Sequence, residues 1–492
     1  MEKEQILTEI QIEDISQSGE GIGRYQGMAV FIPGAMPGDI VSAEIVKQKK
    51  SYAIGRLIEI TALSPDRIPA DCEYFGSCGG CTFRSISYEA ELALKEKQVR
   101  NKLMRLSGIK EPNLKPIIGM KEPLRYRNKA QFPVRAGRPL EKDGRDIACG
   151  TPYIGFYARS SHELTDIDDC LLQNRVAVTL AEVLKQFMRE MYITAWDEKR
   201  KQGLLRHLIV KTAESTGEVM VILVINGKEI PHVQKLVEML DDAAYEAGYS
   251  LESVILNINQ EKTSCITGEK YITIAGKETI FSECMGLKFE ISPAAFYQIN
   301  TVQTEVLYGK VMEYAALSGS ETVFDLYCGI GTIGLIAADQ MREKIRRKCG
   351  FDDYENMGRV YGIEAVKGAV IDANRNAVIN HLVNAEFIYG KAEEKIGELL
   401  NGYTDRDGFF VRGKKPDIVI IDPPRSGCDS RLLTAVMKAM PQRIVYVSCD
   451  PATLARDAKL LGEHYELVET TPVDMFPRCN NIETVSLFMQ HR

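Results

Sequence analysis

The chain has 492 residues, 45% hydrophobic and 26% charged, which is ordinary globular composition with length for roughly three domains and excludes a disordered, collagenous or coiled-coil chain. Its strongest apolar runs, at residues 219–225 and 418–421, fall far short of the roughly 18 residues that a membrane helix needs. A net charge of -7 excludes a molecule that attracts phosphate backbones over its whole surface, so any nucleic-acid site must be local.

The N-terminus, Met1-Glu-Lys-Glu-Gln, is acidic and lacks an apolar h-region, so no secretory signal is expected and the cytoplasm is the default compartment. In that reducing setting the twelve cysteines point to metal ligation, catalysis or inert burial rather than to disulfides. Six scattered histidines make cysteine and carboxylate chemistry the better expectation.

Short β-type runs at residues 7–12, 28–32, 40–46 and 53–60 alternate with turn punctuation at Ser18-Gly19-Glu20-Gly21 and Pro37-Gly38. That spacing predicts a small OB-like barrel over residues 1–63, a module that often binds nucleic acid and also serves unrelated roles. After a linker at residues 64–69 comes Cys72-Glu-Tyr-Phe-Gly-Ser-Cys78-Gly-Gly-Cys81. Next, Lys95, Lys97, Arg100, Lys102, Arg105 and Lys110 outnumber Glu96, while Leu92, Val99, Leu103 and Leu106 recur at helical spacing. A helix over about 86–110 is expected to pack on the catalytic domain. Its basic outer face is either an RNA contact or a solvated surface.

Residues 64–290 read as a mixed α/β central domain, with a hairpin around Ser215-Thr216-Gly217 and a helix over 231–247. In the remaining part, residues 291–492, short apolar strands at 323–327, 360–363, 418–421 and 444–447 alternate with helical segments. This is how a parallel, doubly wound, Rossmann-like sheet reads.

Four motifs carry chemistry. Asp325-Leu-Tyr-Cys-Gly329-Ile-Gly331-Thr-Ile-Gly334 follows a predicted strand and opens a predicted helix, so its backbone can turn tightly against a ligand. Such a turn commonly holds a dinucleotide, with an acid about 20 residues on for the ribose. Here the corresponding acid, Glu364, lies some 33 positions beyond Gly331, a delay that a charged insertion at 339–358 would explain. Asp325 would repel a pyrophosphate. A cationic, phosphate-free ligand such as S-adenosylmethionine suits the pocket better.

In Ile420-Ile421-Asp422-Pro423-Pro424-Arg425, an acid ends a strand at the ligand crevice and two prolines stiffen the loop that leaves it. Amino-methyltransferases often follow such a loop with an aromatic residue. Arginine here makes an exocyclic amine a poorer target, and the loop alone also fits an ordinary strand exit.

In Val445-Tyr-Val-Ser-Cys449-Asp-Pro, a strand ends in cysteine where a following helix dipole would favour thiolate, although a small buried residue would fit there too. Free cysteine titrates at about 8.5, so such activation is needed. Carbon 5 of uracil is too weak a nucleophile to take a methyl group directly. Thiolate addition at carbon 6 makes carbon 5 carbanionic, and a base must then remove the carbon 5 proton before the thiolate leaves. Glu483, opening an apolar strand that could lie beside Cys449, is the candidate base. Considered alone, it would pass for a solvent-facing strand residue. Finally, Cys72, Cys78 and Cys81 have metal-ligand spacing, with Cys170 chosen as the fourth ligand. Four thiolates serve an iron–sulfur cluster or a structural zinc, and spacing does not choose between them.

Together these motifs resemble the RNA uridine-5-methyltransferase family over nearly the whole chain. Gly19-Glu-Gly-Ile-Gly23 and Phe31-Ile-Pro-Gly-Ala-Met-Pro-Gly-Asp39 look like the family's TRAM barrel, and Leu124-Arg-Tyr-Arg-Asn-Lys-Ala130 is similar to its central region. The resemblance implies that Gln298, in Phe296-Tyr-Gln298-Ile-Asn300, contacts S-adenosylmethionine and that Tyr327, Glu364 and Asp422 complete the pocket. It implies Cys449 as nucleophile and Glu483 as base. Cys72, Cys78, Cys81 and Cys170 fall where the ribosomal-RNA branch binds a 4Fe-4S cluster. The chain departs from many relatives in having Arg478, Cys479 and Asn481, rather than histidines, before the terminal glutamate.

The expected molecule is a monomeric three-part α/β enzyme that methylates a uridine of 23S ribosomal RNA of the large subunit, without DNA or membrane partners. Transfer RNA is the alternative substrate. The rivals are an RNA-binding assembly factor that has lost the chemistry and a dinucleotide oxidoreductase with an electron-transfer cluster.

Overall fold

A computed structural model describes residues 6–16, 18–137, 140–142, 145–147, 152–159, 161–404 and 410–491. Residues 1–5, on which the expectation of no secretory signal rests, lie outside the described residues. Among the described residues no helix is long and apolar enough to cross a membrane. The chain divides into two compact units, one of Met1–Val99, Phe156–Thr165 and Phe476–Asn481, the other of Arg100–Gly155, Asp166–Met475 and Ile482–Arg492.

In the first unit, β1 (Ile6–Ile15), β2 (Glu20–Tyr25), β3 (Met28–Pro33), β4 (Ile40–Gln48) and β5 (Tyr52–Ala62) close into a barrel in the order β1-β2-β3-β5-β4. Alternate residues, among them Leu7, Ile10, Ile12, Val30, Ile32, Val41 and Ala43, point inward and fill it. The sequence reads β2 as turn punctuation because glycine disfavours strands. Close approach explains it: a Cβ at Gly21 would lie 2.7 Å from the Ala35 carbonyl oxygen, and one at Gly23 2.4 Å from Ile10 Cγ2.

Helix α1 (Tyr88–Lys102) takes one residue, Lys95, out of the expected basic face, while Lys97, Arg105 and Lys110 stay exposed. Lys95 is fully buried and donates to Glu91 Oε1 at 2.7 Å and to the Phe476 carbonyl at 3.1 Å. After α1 a π-turn, Leu103–Ser107, ends at Gly108 with φ 85°. The wider turn shifts the helical phase, which leaves Leu106 exposed where the sequence expects an apolar face, while Leu103 and Ser107 stay buried.

In the second unit, β6 (Lys129–Ala136), β7 (Leu205–Ala213), β8 (Glu218–Ile225), β9 (Ser250–Ile258) and β10 (Lys270–Gly276) lie side by side in chain order. β7 and β8 form the expected hairpin, with Ala213 opposite Glu218. Helix α2 (Arg175–Glu190) packs on α3 (Val233–Glu246), the crossover between the parallel strands β8 and β9.

The doubly wound sheet follows. Its strands are β11 (Thr322–Leu326), β12 (Arg359–Glu364), β13 (Ala385–Tyr389), β14 (Ile418–Ile421), β15 (Arg443–Ser448), β16 (Tyr465–Val473) and β17 (Glu483–Gln490), in the order β13-β12-β11-β14-β15-β17-β16. The first five in that order are parallel, and β17 pairs antiparallel with both neighbours. β14 is buried throughout, as a strand covered on both faces must be. The intervening helices are α4 (Thr301–Ala315), α5 (Thr332–Cys349), α6 (Lys367–Ile379), α7 (Ala392–Asn401), α8 (Ser430–Ala439) and α9 (Pro451–Leu461). The expected charged insertion is in large part α5 running on to Cys349. The π-turn after α1 packs against α9. The strand order reverses between β11 and β14, which is where such sheets bind ligands.

Candidate active site

The glycine turn after β11 is a run of left-handed residues: Tyr327 at φ 65°, Gly329 at 56° and Gly331 at 82°. For a non-glycine residue such as Tyr327 this conformation costs of order 1–3 kcal/mol. The amides of Tyr327 and Cys328 both donate to the Ile363 carbonyl, at 3.0 and 3.1 Å. Glu364 completes the clamp, accepting from Gly329 N at 3.1 Å and from Val366 N at 2.7 Å. No side chain caps α5, whose N-cap is Gly331.

Beneath this turn Asp325 is fully buried, and neither of its carboxyl oxygens has a hydrogen-bond partner of good geometry. The helix above it comes so close that a Cβ at Gly334 would lie 2.7 Å from Asp325 Oδ2. Burial, and then the charge of Asp422, push the Asp325 carboxyl up to about 7. Asp422 is itself pushed up to about 7 by burial. Gln298 is buried, with its carbonyl accepting from Asn128 Nδ2 at 2.8 Å and its side chain bonded to the Tyr308 hydroxyl. Burial and the nearby Asp422 raise that hydroxyl well above the usual tyrosine range. Tyr308 thus joins Gln298 to the acid cluster, a link with no sequence signal beyond a position on α4. Two neighbouring acids, Asp325 buried and Asp422 half-buried, fit a cation.

Cys449 and Glu483 come together by strand register. Ser448 at the end of β15 pairs with Thr484 of β17, so Cys449 and Glu483 are the next residues at the same edge. Asp450 caps α9 through Ala452 N at 2.8 Å and places Cys449 just ahead of the helix. The thiol is half-buried, and burial, Glu483 and Asp422 push it up to about 12, with Arg425 opposing. Desolvation and the two carboxyls act against the thiolate that the helix dipole would favour. Glu483 is buried, and burial and Asp422 hold its carboxyl well above the ordinary range, again against Arg425. Arg425 lies exposed on the loop after Asp422. Its influence on both residues has no sequence signal, because it acts across the fold.

Among the described residues, no group of three or more Cys, His, Asp or Glu side chains is placed to hold a metal ion. Cys72, Cys78 and Cys81 are half-buried in the first unit and Cys170 is half-buried in the second. Protein groups meet two of these thiols: Gly80 N donates to Cys78 Sγ at 3.4 Å, and Cys81 lies against the buried Arg84, whose charge it favours. Cys479 is buried and donates to the Gly80 carbonyl at 3.3 Å, which accords with inert burial.

The family profile described as tRNA (Uracil-5-)-methyltransferase matches residues 181–491, and that of the TRAM domain matches residues 8–58. An uncharacterized RNA methyltransferase of Halalkalibacterium halodurans is 40% identical over 482 residues, which cover 98% of this chain and 96% of the relative. Another, of Caldanaerobacter subterraneus, is 42% identical over 480 residues, covering 97% of each. Among solved structures, Pyrococcus abyssi tRNA (uracil-54, C5)-methyltransferase in complex with S-adenosyl-L-homocysteine aligns with a TM-score of 0.72 at 27% identity, covering 98% of this chain and 100% of that one.

Proposed function

This chain belongs to the RNA uracil-5-methyltransferase family, and from that membership we propose that it methylates carbon 5 of a uridine in 23S ribosomal RNA through a transient bond to Cys449. The observation that carries this reading is the meeting of Cys449 and Glu483 on adjacent strand ends, beside an acid cluster suited to a cationic donor. When bound, S-adenosylmethionine supplies an electrophilic methyl carbon on a positively charged sulfur. Asp422, Gln298, Tyr327 and Glu364 would hold it, with Asp325 adding buried negative charge beneath the turn.

The target base leaves its stack to enter the pocket. Cys449 gives its thiol proton to water, and its sulfur bonds to carbon 6 while the ring π pair moves toward the carbonyl at carbon 4. Carbon 5 then bonds to the methyl carbon, and the former methyl–sulfur pair departs on neutral S-adenosylhomocysteine. Ionised Glu483 takes the proton from carbon 5. That C–H pair restores the ring double bond, and the C6–S pair returns to Cys449. Burial that raises Glu483 also makes it a strong proton acceptor once ionised.

Ribosomal RNA is favoured by the cysteine spacing, which resembles that of the ribosomal-RNA branch. Transfer RNA is the second reading, favoured by the solved tRNA methyltransferase that aligns over the whole chain. Incubation with labelled methyl donor and, separately, a 23S transcript or total transfer RNA decides between them. Label in 5-methyluridine of the 23S transcript alone is expected. Label confined to transfer RNA transfers the assignment, and no label in either rejects the enzyme.

That Cys72, Cys78, Cys81 and Cys170 hold a 4Fe-4S cluster rests on spacing and resemblance alone. Anaerobically purified protein should show iron–sulfide absorbance that disappears in Cys78→Ser; colourless protein containing zinc would replace the cluster with that ion.

A further inference from the structure

The loop that carries Asp422 and Arg425 is fastened at its far end to the helix behind Cys449 by a single buried carboxylate. Asp457 on α9 has a fully buried side chain. Its Oδ2 accepts from the Tyr446 hydroxyl at 2.6 Å and from the Cys428 amide at 2.9 Å, and its Oδ1 accepts from Arg456 Nε at 2.8 Å. Arg456 Nη2 also reaches back to the Cys428 carbonyl at 3.2 Å, and Cys428 Sγ lies 3.5 Å from the Tyr446 hydroxyl. One side chain therefore ties together the loop after β14, strand β15 and helix α9.

The fit allows no side chain at Gly427. That residue has φ 75°, and a Cβ there would come 2.4 Å from Arg456 Nη2 and 2.9 Å from Asp457 Oδ2. The near end of the loop is fixed separately, by the Asp422 amide donating to the Leu326 carbonyl at 3.3 Å. Pro423 and Pro424 stiffen what lies between. Cys449 precedes α9, and Tyr446 lies three residues before it on β15. Fixing the loop to both elements sets where Asp422 and Arg425 stand relative to the thiol.

We propose that Asp457 is a positioning residue: by bonding Tyr446, Arg456 and Cys428 it holds the Asp422–Arg425 loop in the register with Cys449 that thiolate attack requires. This rests on the reading of Cys449 as nucleophile. Arg425 favours the ionised thiol and Asp422 opposes it, so their distances from the sulfur govern how readily it ionises. A displacement of about 1 Å in such an arrangement can cost roughly a hundredfold in rate.

The test is single-turnover formation of the protein–RNA adduct with a 5-fluorouridine transcript and S-adenosylmethionine, using the full chain as wild type, Asp457→Asn and Arg456→Gln. Asp457→Asn should lower the rate constant at saturating RNA and S-adenosylmethionine by roughly ten- to a hundredfold, while the dissociation constant for the transcript stays unchanged. The pH at which the rate is half-maximal should rise, because Arg425 no longer counters the carboxyls. Arg456→Gln, at a half-exposed side chain, should give a smaller loss of the same kind even where Asp457→Asn fails to fold. Wild type without adduct overturns the covalent reading and this proposal with it. Adduct in the wild type, with an unchanged rate and pH profile in the folded variants, overturns the positioning role alone. So does a loss fully accounted for by weaker ligand binding.

Discussion

Asp325 and Asp422 end neighbouring parallel strands at the switch point of the sheet, with Leu326 opposite Ile421 and the Asp422 amide donating to the Leu326 carbonyl at 3.3 Å. Each carboxyl is pushed up to about 7, Asp325 in part by the charge of Asp422. A site that holds two acids on the edge of neutrality is matched to a ligand whose own positive charge favours ionising both.

The donor and its product should therefore differ in pH dependence. S-adenosylmethionine carries a sulfonium charge that S-adenosylhomocysteine lacks. As pH rises from 6 to 8 the two aspartates ionise, and affinity for the cation should increase by up to about tenfold per pH unit below 7 for each proton displaced. Affinity for the neutral sulfide should change much less. Titration calorimetry at several pH values checks this; parallel curves for the two ligands would remove the electrostatic account of the pocket.

Stability of the ligand-free protein should carry the opposite signature. The folded chain holds these two protons up to about pH 7, whereas the unfolded chain releases them near 4. Between those values the native state binds more protons, so stability falls as pH rises and levels off above about 7. Asp325→Asn removes part of that slope and should be more stable than wild type at pH 8, while binding S-adenosylmethionine more weakly. Thermal melts across pH 5 to 8 test it, and a variant less stable at pH 8 would mean that the carboxylate is paired in a way the buried oxygens do not show.

At the nucleophile, Cys449→Ala should abolish both methyl transfer and the covalent RNA adduct while donor binding persists. Glu483→Gln should instead let the methylated adduct accumulate, since attack still occurs and only removal of the carbon 5 proton fails. The neutral amide resembles the protonated acid that burial favours, so the fold should be kept. Because Glu483 is the largest charged contributor to the high thiol value of about 12, the alkylation of Cys449 should reach half its limiting rate at lower pH in Glu483→Gln. Free product with no trapped adduct would take the base role away from Glu483.

Much of the fold was legible because periodicity and strand-end chemistry are local. The strands at Ile418–Ile421 and Arg443–Ser448, the hairpin around Gly217 and the opening of β17 at Glu483 lie where apolar runs and turn residues put them. β2 was hidden because its glycines answer to a neighbouring strand rather than to propensity. The burial of Lys95 is not legible because a lysine in a charged run gives no sign of the buried carboxylate one turn away. The upward shift of Cys449 comes first from burial and then from Glu483 and Asp422, none of which the local sequence shows. Tyr308, Arg425 and Asp457 belong to the same class: each acts through partners on another element, and spacing along the chain does not encode those partners.

The buried cluster around α1 gives a last test, on stability alone. Glu91 and Lys95 are both fully buried and 2.7 Å apart, and Glu91 also accepts from Arg478 N at 2.7 Å and lies 3.5 Å from Arg478 Nη1. Removing Lys95 leaves Glu91 with the Arg478 guanidinium for a partner. Removing Glu91 leaves two cations without their carboxylate, and breaking a buried pair in that way costs about 3–5 kcal/mol. Glu91→Leu should therefore destabilise the protein by about that amount, and Lys95→Met by clearly less. Urea denaturation of the two variants measures the difference. Equal losses, or a larger loss for Lys95→Met, would show that Arg478 contributes nothing to neutralising Glu91.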